Sequence, residues 1–349
     1  MRHVFSKTNL FFSLLLTGIL IALTACGGDD TSEASGDAAK NLDFSHFFPS
    51  SHFMEEEIKQ FSKDLKDKTD GDVSITSYPG ASLAEPDKHY DAAATGSVDI
   101  ALSVHGYTPN QFPLTSVMEL PFMSENAVEG SKNLWKIYNE FDEFDDEYAG
   151  TKPLWLYTTD PGQLFTVGKQ VKSVEDLEGM KIRSPSPETS EWLEALGATP
   201  VSMPMNENFE ALERGVVDGT IAPWEAVKTW GLDEVVDYAT IGNFYSTTMF
   251  VVMNQGVWDD LSKKNQEAIN ELTGKRMAEK TGERFDQFGK DAVKQAKDKG
   301  VEIYELSDDE LNNWKEYIEP TIQNWIDDVE DRGLPGQKVY DRAVELSNK

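Results

Sequence analysis

Short β-like runs alternate with amphipathic helical stretches along almost the whole chain, and this alternation constrains the fold more than any single residue does. Runs at 42–48, 72–78 and 98–104 are rich in apolar and β-branched residues and are bounded by turn signals such as Pro79-Gly80 and Gly96. Between them, 52–68 sets Met54, Ile58, Phe61 and Leu65 on one helical face, and 86–95 reads as a shorter helix. A helix capped by Ser124 and running to about Asn139 precedes a strand at 153–158 that leaves this first unit. Parallel strands need a crossover long enough to hold a helix, so the pattern implies α/β layers with largely parallel sheets.

From Asp160-Pro161-Gly162 the same grammar repeats, with strands at 164–167, 180–183, 199–202 and 217–222 and helices at 188–196 and 207–214. Ser173 with Asp176 three residues on has capping-box spacing, as has Ser307 with Glu310. A strand at 250–253, a helical stretch at 262–299 long enough to brace both units, and a strand at 301–306 follow. Two segments share a pattern: Gly96-Ser-Val-Asp99 and Gly215-Val-Val-Asp218 each put glycine just past a helix and an aspartate at the start of a strand. A chain of 349 residues exceeds what one core usually serves. The expected division is 41–159 with about 249–288 as domain I, and 160–248 with about 289–349 as domain II. The chain crosses between them more than once, which makes a hinge, and hinged α/β pairs bind ligand in the cleft between lobes.

Residues 1–25 read as a signal peptide: Arg2, His3 and Lys7 precede an apolar run that ends in Leu23-Thr24-Ala25-Cys26. That tetrapeptide has the form of a lipobox, so Cys26 is the expected lipidation site. Residues 26–40 then form a flexible tether, polar and without a large apolar side chain. The expected location is extracytoplasmic, lipid-anchored to the cell membrane. A single cysteine excludes a disulfide framework. The formal net charge of −30 argues against nucleic acid as a partner. It does not exclude an anionic ligand, because exposed charge is screened within about 10 Å in 0.1 M salt.

Signatures of catalysis are sparse. There is no Gly-x-Gly-x-x-Gly, phosphate loop, Gly-x-Ser-x-Gly elbow or His-Glu-x-x-His. Past the leader the histidines are His46, His52, His89 and His105, too few for a histidine-based metal centre unless nearly all converge. Arginine is more informative, since none lies between Cys26 and Arg183 although lysine is frequent. Arg183 ends a strand in Met180-Lys-Ile-Arg-Ser184, and open α/β sheets bind ligands at the carboxyl ends of their strands. Its guanidinium can hold a carboxylate through two parallel hydrogen bonds, which lysine cannot reproduce. A structural salt bridge is the competing reading. His46, Phe47 and Tyr107 follow strands of the first unit, and Asn206 and Phe244 follow strands of the second, so their tips can face a cleft. Core packing competes for the aromatics, and an N-cap role competes for Asn206.

The stretches Phe61-Ser-Lys-Asp-Leu-Lys-Asp-Lys-Thr-Asp-Gly-Asp-Val-Ser-Ile75, Gly96-Ser-Val-Asp-Ile100, Leu120-Pro-Phe122, Ser173-Val-Glu-Asp-Leu-Glu-Gly-Met-Lys-Ile-Arg183 and Glu207-Asn-Phe-Glu-Ala-Leu-Glu-Arg-Gly-Val-Val-Asp-Gly219 follow one another in a recognisable order. In that order the chain resembles the solute-binding proteins of tripartite ATP-independent periplasmic (TRAP) transporters, of the dicarboxylate-binding-protein type. The resemblance implies a two-domain, periplasmic-binding-protein-like α/β fold of the Venus-flytrap kind, with a long bracing helix. It implies a non-enzymatic receptor that captures a small organic acid and delivers it to the membrane subunits of a TRAP permease. It places the ligand carboxylate on Arg183, adds Gln163 and Trp224 to the cleft, and makes Gln163 with Glu225 a site for Na⁺ or Ca²⁺; no other cofactor is implied. Where the family commonly has Glu-Asn-Pro, this chain has Ile221-Ala222-Pro223, which opens the ligand class to 2-oxo, 2-hydroxy and aromatic monocarboxylates. A receptor for another importer or for a sensor kinase, or an extracellular hydrolase or lyase using Glu225, are the alternatives. Cys26→Ser is expected to release the protein from the membrane fraction or to block its processing, as read by fractionation and the mass of the N-terminal peptide; normal processing with retention in the membrane contradicts the lipobox reading.

Overall fold

The computed structural model describes residues 39 to 348; the leader, Cys26 and most of the tether lie outside the described residues. Among the described residues eleven strands form two sheets. The first holds β1 (Lys40–His46), β2 (Val73–Tyr78), β3 (Ile100–Val104), β4 (Thr151–Thr158) and β10 (Thr248–Asn254) in the order β2-β1-β3-β10-β4. The second holds β5 (Gly162–Thr166), β6 (Lys181–Ser184), β7 (Thr199–Ser202), β8 (Gly219–Pro223), β9 (Tyr238–Tyr245) and β11 (Glu302–Glu305) in the order β11-β9-β5-β8-β6-β7. Helices cover both sheets, so the central strands are apolar on both faces: every residue of β3, β5 and β8 is buried. Among the described residues no helix is long and apolar enough to cross a membrane.

The sheets are mixed, not largely parallel. β10 runs antiparallel to β3 and β4, and β5 runs antiparallel to β8 and β9. These are the strands that carry the chain between lobes. β4 leads into β5 through 159–161, and β9 leads into β10 through Ser246 and Thr247. The two crossings are bonded to each other, Thr159 N–H to Thr247 O at 3.0 Å and Thr247 N–H to Thr159 Oγ1 at 3.2 Å. A short, cross-bonded pair of strands lets the lobes rotate without sliding apart.

The repeated Gly-x-x-Asp segments have equivalent roles in the two lobes. Gly96 and Gly215 are left-handed, at φ 77° and 66°, as expected of residues that end a helix. The Asp99 carboxylate accepts the Asp43 N–H of neighbouring β1 at 2.8 Å, and the Asp218 carboxylate accepts the Lys181 N–H of neighbouring β6 at 2.8 Å. Each aspartate thus fixes where its strand meets the next one, at the edge opposite the cleft.

Three features differ from the sequence expectations. The long helical stretch is two helices, Lys263–Leu272 and Lys275–Asp298, broken at Thr273-Gly274, where Gly274 is left-handed at φ 63°. The helix Ala127–Glu140 is capped by Asn126 rather than Ser124, and Asp286 of the bracing helix accepts the N–H groups of Ala127 and Val128 at 2.8 and 3.2 Å. The C-terminal segment does not stay with the second lobe. Trp325, Ile326 and Val329 of helix Asp308–Asp331, and Val339, Ala343 and Leu346 of helix Gly336–Ser347, share a core with Tyr90, Phe112 and Phe250 of the first lobe. Apolar periodicity shows that a helix has a buried face but not which core receives it.

The bracing helix Lys275–Asp298 serves both lobes, with Met277 and Phe285 in the core of the first and Ala292 and Ala296 in that of the second. It approaches the helix Ala127–Glu140 closely at Gly282, where a Cβ would meet Ala127 O at 2.6 Å and Val128 Cα at 2.8 Å. Gly282→Ala gains about 1 kcal/mol of helix propensity but forces two backbones apart, which costs about 1–3 kcal/mol. The net expectation is a destabilisation of up to about 2 kcal/mol in urea denaturation; a stabilised variant contradicts the close packing.

Candidate ligand-binding site

The carboxyl end of β6 delivers Arg183 into the cleft. The guanidinium is fully buried, and its hydrogen bonds explain how it stays there. Nε–H donates to Met203 O at 2.9 Å, Nη1 to Ile221 O at 3.4 Å and Nη2 to Tyr107 Oη at 3.2 Å. Three of its five N–H groups are spent, leaving one on each terminal nitrogen. Among the described residues no carboxylate forms an ion pair with it. A buried guanidinium without a counter-charge is costly, and a fork of two free N–H groups is the arrangement that takes a carboxylate.

Tyr107 reaches this cation from the other lobe, at the end of the short 3₁₀ turn His105–Tyr107 that follows β3. Its oxygen accepts from Arg183 and from the Met205 N–H at 2.9 Å, so its own O–H is free to donate. Burial raises its pKa, keeping the phenol protonated. Arg183, Tyr107 and Glu225 line one interlobe cavity, walled by Phe47, Phe48, Trp230, Met205 and Met249. Phe47 from the first lobe and Trp230 from the second lie parallel within 5°, with ring centroids 6.2 Å apart. Arg183 is the one cationic side chain on this wall among the described residues.

Several residues expected in the cleft point elsewhere. Gln163 spends its amide on its own lobe: Oε1 accepts Gly242 and Asn243 N–H at 3.0 and 2.9 Å, and Nε2 donates to Pro161 O and Asn243 Oδ1. It thereby bridges the register shift between β5 and β9, and it is not available to pair with Glu225 around a cation. His46 faces the first lobe's interior, with Nε2 3.0 Å from Glu55. Trp224 packs edge-on against Phe165, 4.8 Å between centroids, while its backbone N–H donates to Asp160 Oδ2 at 2.9 Å. Phe244 stacks between Trp192 and Trp314. Asn206 is exposed in the turn Met205–Glu207 and caps no helix. Sequence reasoning missed Trp230, Met205, Met249 and the contact from His52 Nε2 to Glu225 Oε1 at 2.8 Å. The one available signal was Trp230 standing just before Gly231, which ends the helix Trp224–Thr229 with φ 66°.

Two α/β lobes, two cross-bonded strands between them, and a buried unpaired cation in the cleft define a hinged receptor for a small anion. The chain belongs to the family described as bacterial extracellular solute-binding protein, family 7, which it matches over residues 44–328. A marine-metagenome TRAP solute-binding protein specific for aromatic acids, solved with 3-hydroxybenzoate, is 32% identical with a TM-score of 0.85, covering 89% of this chain and 98% of that one. A TRAP solute-binding protein from Rhodoferax ferrireducens, solved with benzoate, is 28% identical at TM-score 0.84, covering 88% of this chain and 98% of that one. One from Bordetella bronchiseptica, with bound mandelate, is 29% identical at TM-score 0.82, covering 88% and 99%. The function is therefore extracytoplasmic capture of a small organic acid for delivery to a TRAP-type membrane permease, in a family of binding proteins rather than enzymes.

Away from this cavity the lobes meet along a seam with a second pocket, open to solvent and of about 170 Å³, lined by Glu119 of the first lobe and Glu188 of the second. Glu119 Oε1 accepts the Thr248 N–H and hydroxyl at 3.0 and 2.6 Å. Burial pushes both carboxyls up, Glu188 to about 7, and their mutual repulsion adds to the Glu188 shift. A folded-state pKa above the unfolded one means stability that is present below the ordinary carboxyl range and is lost as pH rises through about 7. Glu188→Gln mimics the protonated form. Its melting temperature is expected to exceed that of the wild type at pH 8, with the gap closing by pH 5; a variant less stable than wild type at pH 8 contradicts the seam assignment.

Proposed function

We propose that the preferred ligand is an aromatic monocarboxylate, gripped by Arg183 and Tyr107 between the faces of Phe47 and Trp230. The observation that carries this reading is the buried guanidinium with two free N–H groups, no ion pair to a carboxylate among the described residues, and aromatic walls. A second carboxylate on the ligand would meet no second cation on this wall and would face Glu225 instead, so dicarboxylates are disfavoured. The likeness to receptors solved with 3-hydroxybenzoate, benzoate and mandelate supports the same class. The space between the lobes measures about 30 Å³, whereas an apolar cavity of about 150 Å³ takes benzene. Ring entry therefore requires the lobes to part, and Met205 and Met249 are walls that repack at low cost. Lipid attachment at Cys26 and presentation of the loaded receptor to the permease at the membrane surface complete the proposal.

Arg183→Ala is expected to weaken benzoate binding by roughly two to four orders of magnitude, since breaking a buried charge pair costs about 3–5 kcal/mol. Arg183→Lys should recover only part of that, keeping the charge without the fork. Because the partner is the ligand, both ligand-free variants should melt close to the wild type. Calorimetric titration and thermal melts decide: a destabilised variant that still binds normally makes Arg183 a structural residue.

A further inference from the structure

We infer that Glu225 and Trp230 form a second recognition point in the cleft, one that reads a hydroxyl group on the ligand's ring, so that the preferred ligands are hydroxylated aromatic acids. This rests on the reading of an aromatic carboxylate held by Arg183, and it adds the polar group that the ring carries.

Glu225 stands in the first turn of the helix Trp224–Thr229 and is almost fully buried. Its Oε1 accepts from the Thr229 hydroxyl and lies 2.8 Å from His52 Nε2, a close contact without hydrogen-bond alignment. The His52 contact has a defined direction. His52 Nδ1 accepts the Met54 N–H at 3.2 Å, so the ring carries its proton on Nε2, the edge that lies against Glu225. The imidazole is itself held by stacking on Phe48, with centroids 4.0 Å apart and planes 13° apart. Oε1 is thus occupied by Thr229 and packed against His52, while among the described residues no hydrogen bond reaches Oε2. Glu225 and Arg183 line the same cavity without forming an ion pair, so the gap between cation and anion is open to a bridging molecule.

The adjoining wall supplies the complementary group. Among the described residues the Trp230 indole N–H is buried without a hydrogen-bond partner, and Trp230 lines the same cavity. A free acceptor and a free donor on one wall match a hydroxyl, which both donates and accepts. An ammonium group has no lone pair for the indole N–H, and a methoxy group has no hydrogen for the carboxylate. His52 comes from the first lobe and Glu225 from the second, so the acceptor is oriented only when the lobes are together. A ligand that uses it favours the closed form over the open one, and His52 is a positioning residue.

The test is calorimetric titration of the wild type, Glu225→Gln and Trp230→Phe with benzoate, 3-hydroxybenzoate, 4-hydroxybenzoate and 3-methoxybenzoate. In the wild type at least one hydroxybenzoate should bind about tenfold or more tightly than benzoate, as a hydrogen bond to a charged group allows. 3-Methoxybenzoate should show no such gain. In each variant the ratio of benzoate to hydroxybenzoate dissociation constants should fall to about threefold or less. Benzoate and both hydroxybenzoates binding the wild type equally overturns the inference while leaving the aromatic-acid reading intact. An unchanged ratio in both variants also overturns it. Failure of every aromatic acid to bind the wild type overturns both.

Discussion

A guanidinium in the interior that forms no ion pair among the described residues is the constraint on which the rest of the cleft depends. Taking such a charge out of water costs several kcal/mol unless its donors are satisfied. The second sheet lowers that cost by ending two chains of backbone at the right place: Met203 O, just beyond β7, and Ile221 O, in β8, flank β6 and accept from Arg183. Carbonyl dipoles satisfy hydrogen-bonding capacity without neutralising the charge. The remaining field is left for a ligand, and the strand order β8-β6-β7 is what brings those carbonyls to the same side chain.

The first lobe meets this cation through a single polar group, the Tyr107 hydroxyl, which also accepts the Met205 N–H. Closure is therefore written into the electrostatics of the site: the lobe that lacks the charge supplies a neutral, protonated phenol to it. The hinge that permits this motion is built from the two crossings at Thr159 and Thr247, and the bracing helix spans both cores. Asp160 lies at the same place, buried, with its carboxyl pushed well above the ordinary range by desolvation and by the nearby Glu225 charge.

Much of this is legible in the sequence because it is local. Ser173 and Ser307 do form capping boxes, with Asp176 and Glu310 respectively, since a cap depends on residues three apart. Arg183 stands out as the first arginine after Cys26 and at a strand end. What is not legible depends on direction and on distant partners. Gln163 and Phe244 sit beside the cleft in the chain, but the register shift between β5 and β9 turns Gln163 back onto Gly242 and Asn243. β9 itself was not anticipated, and it is this strand that carries the chain back to the first lobe. Trp230 and Met249 come from segments on either side of β9, so nothing in local periodicity unites them with Phe47.

The central claim is that the ligand's negative charge, more than its shape, is what the cleft recognises. The most direct measurement is calorimetric titration of the wild-type protein with benzoate and with benzamide, which share a ring and size but not a charge. Neutralisation of Arg183 by the ligand predicts that benzoate binds more tightly by about 100-fold or more; equal affinity for the two would contradict it.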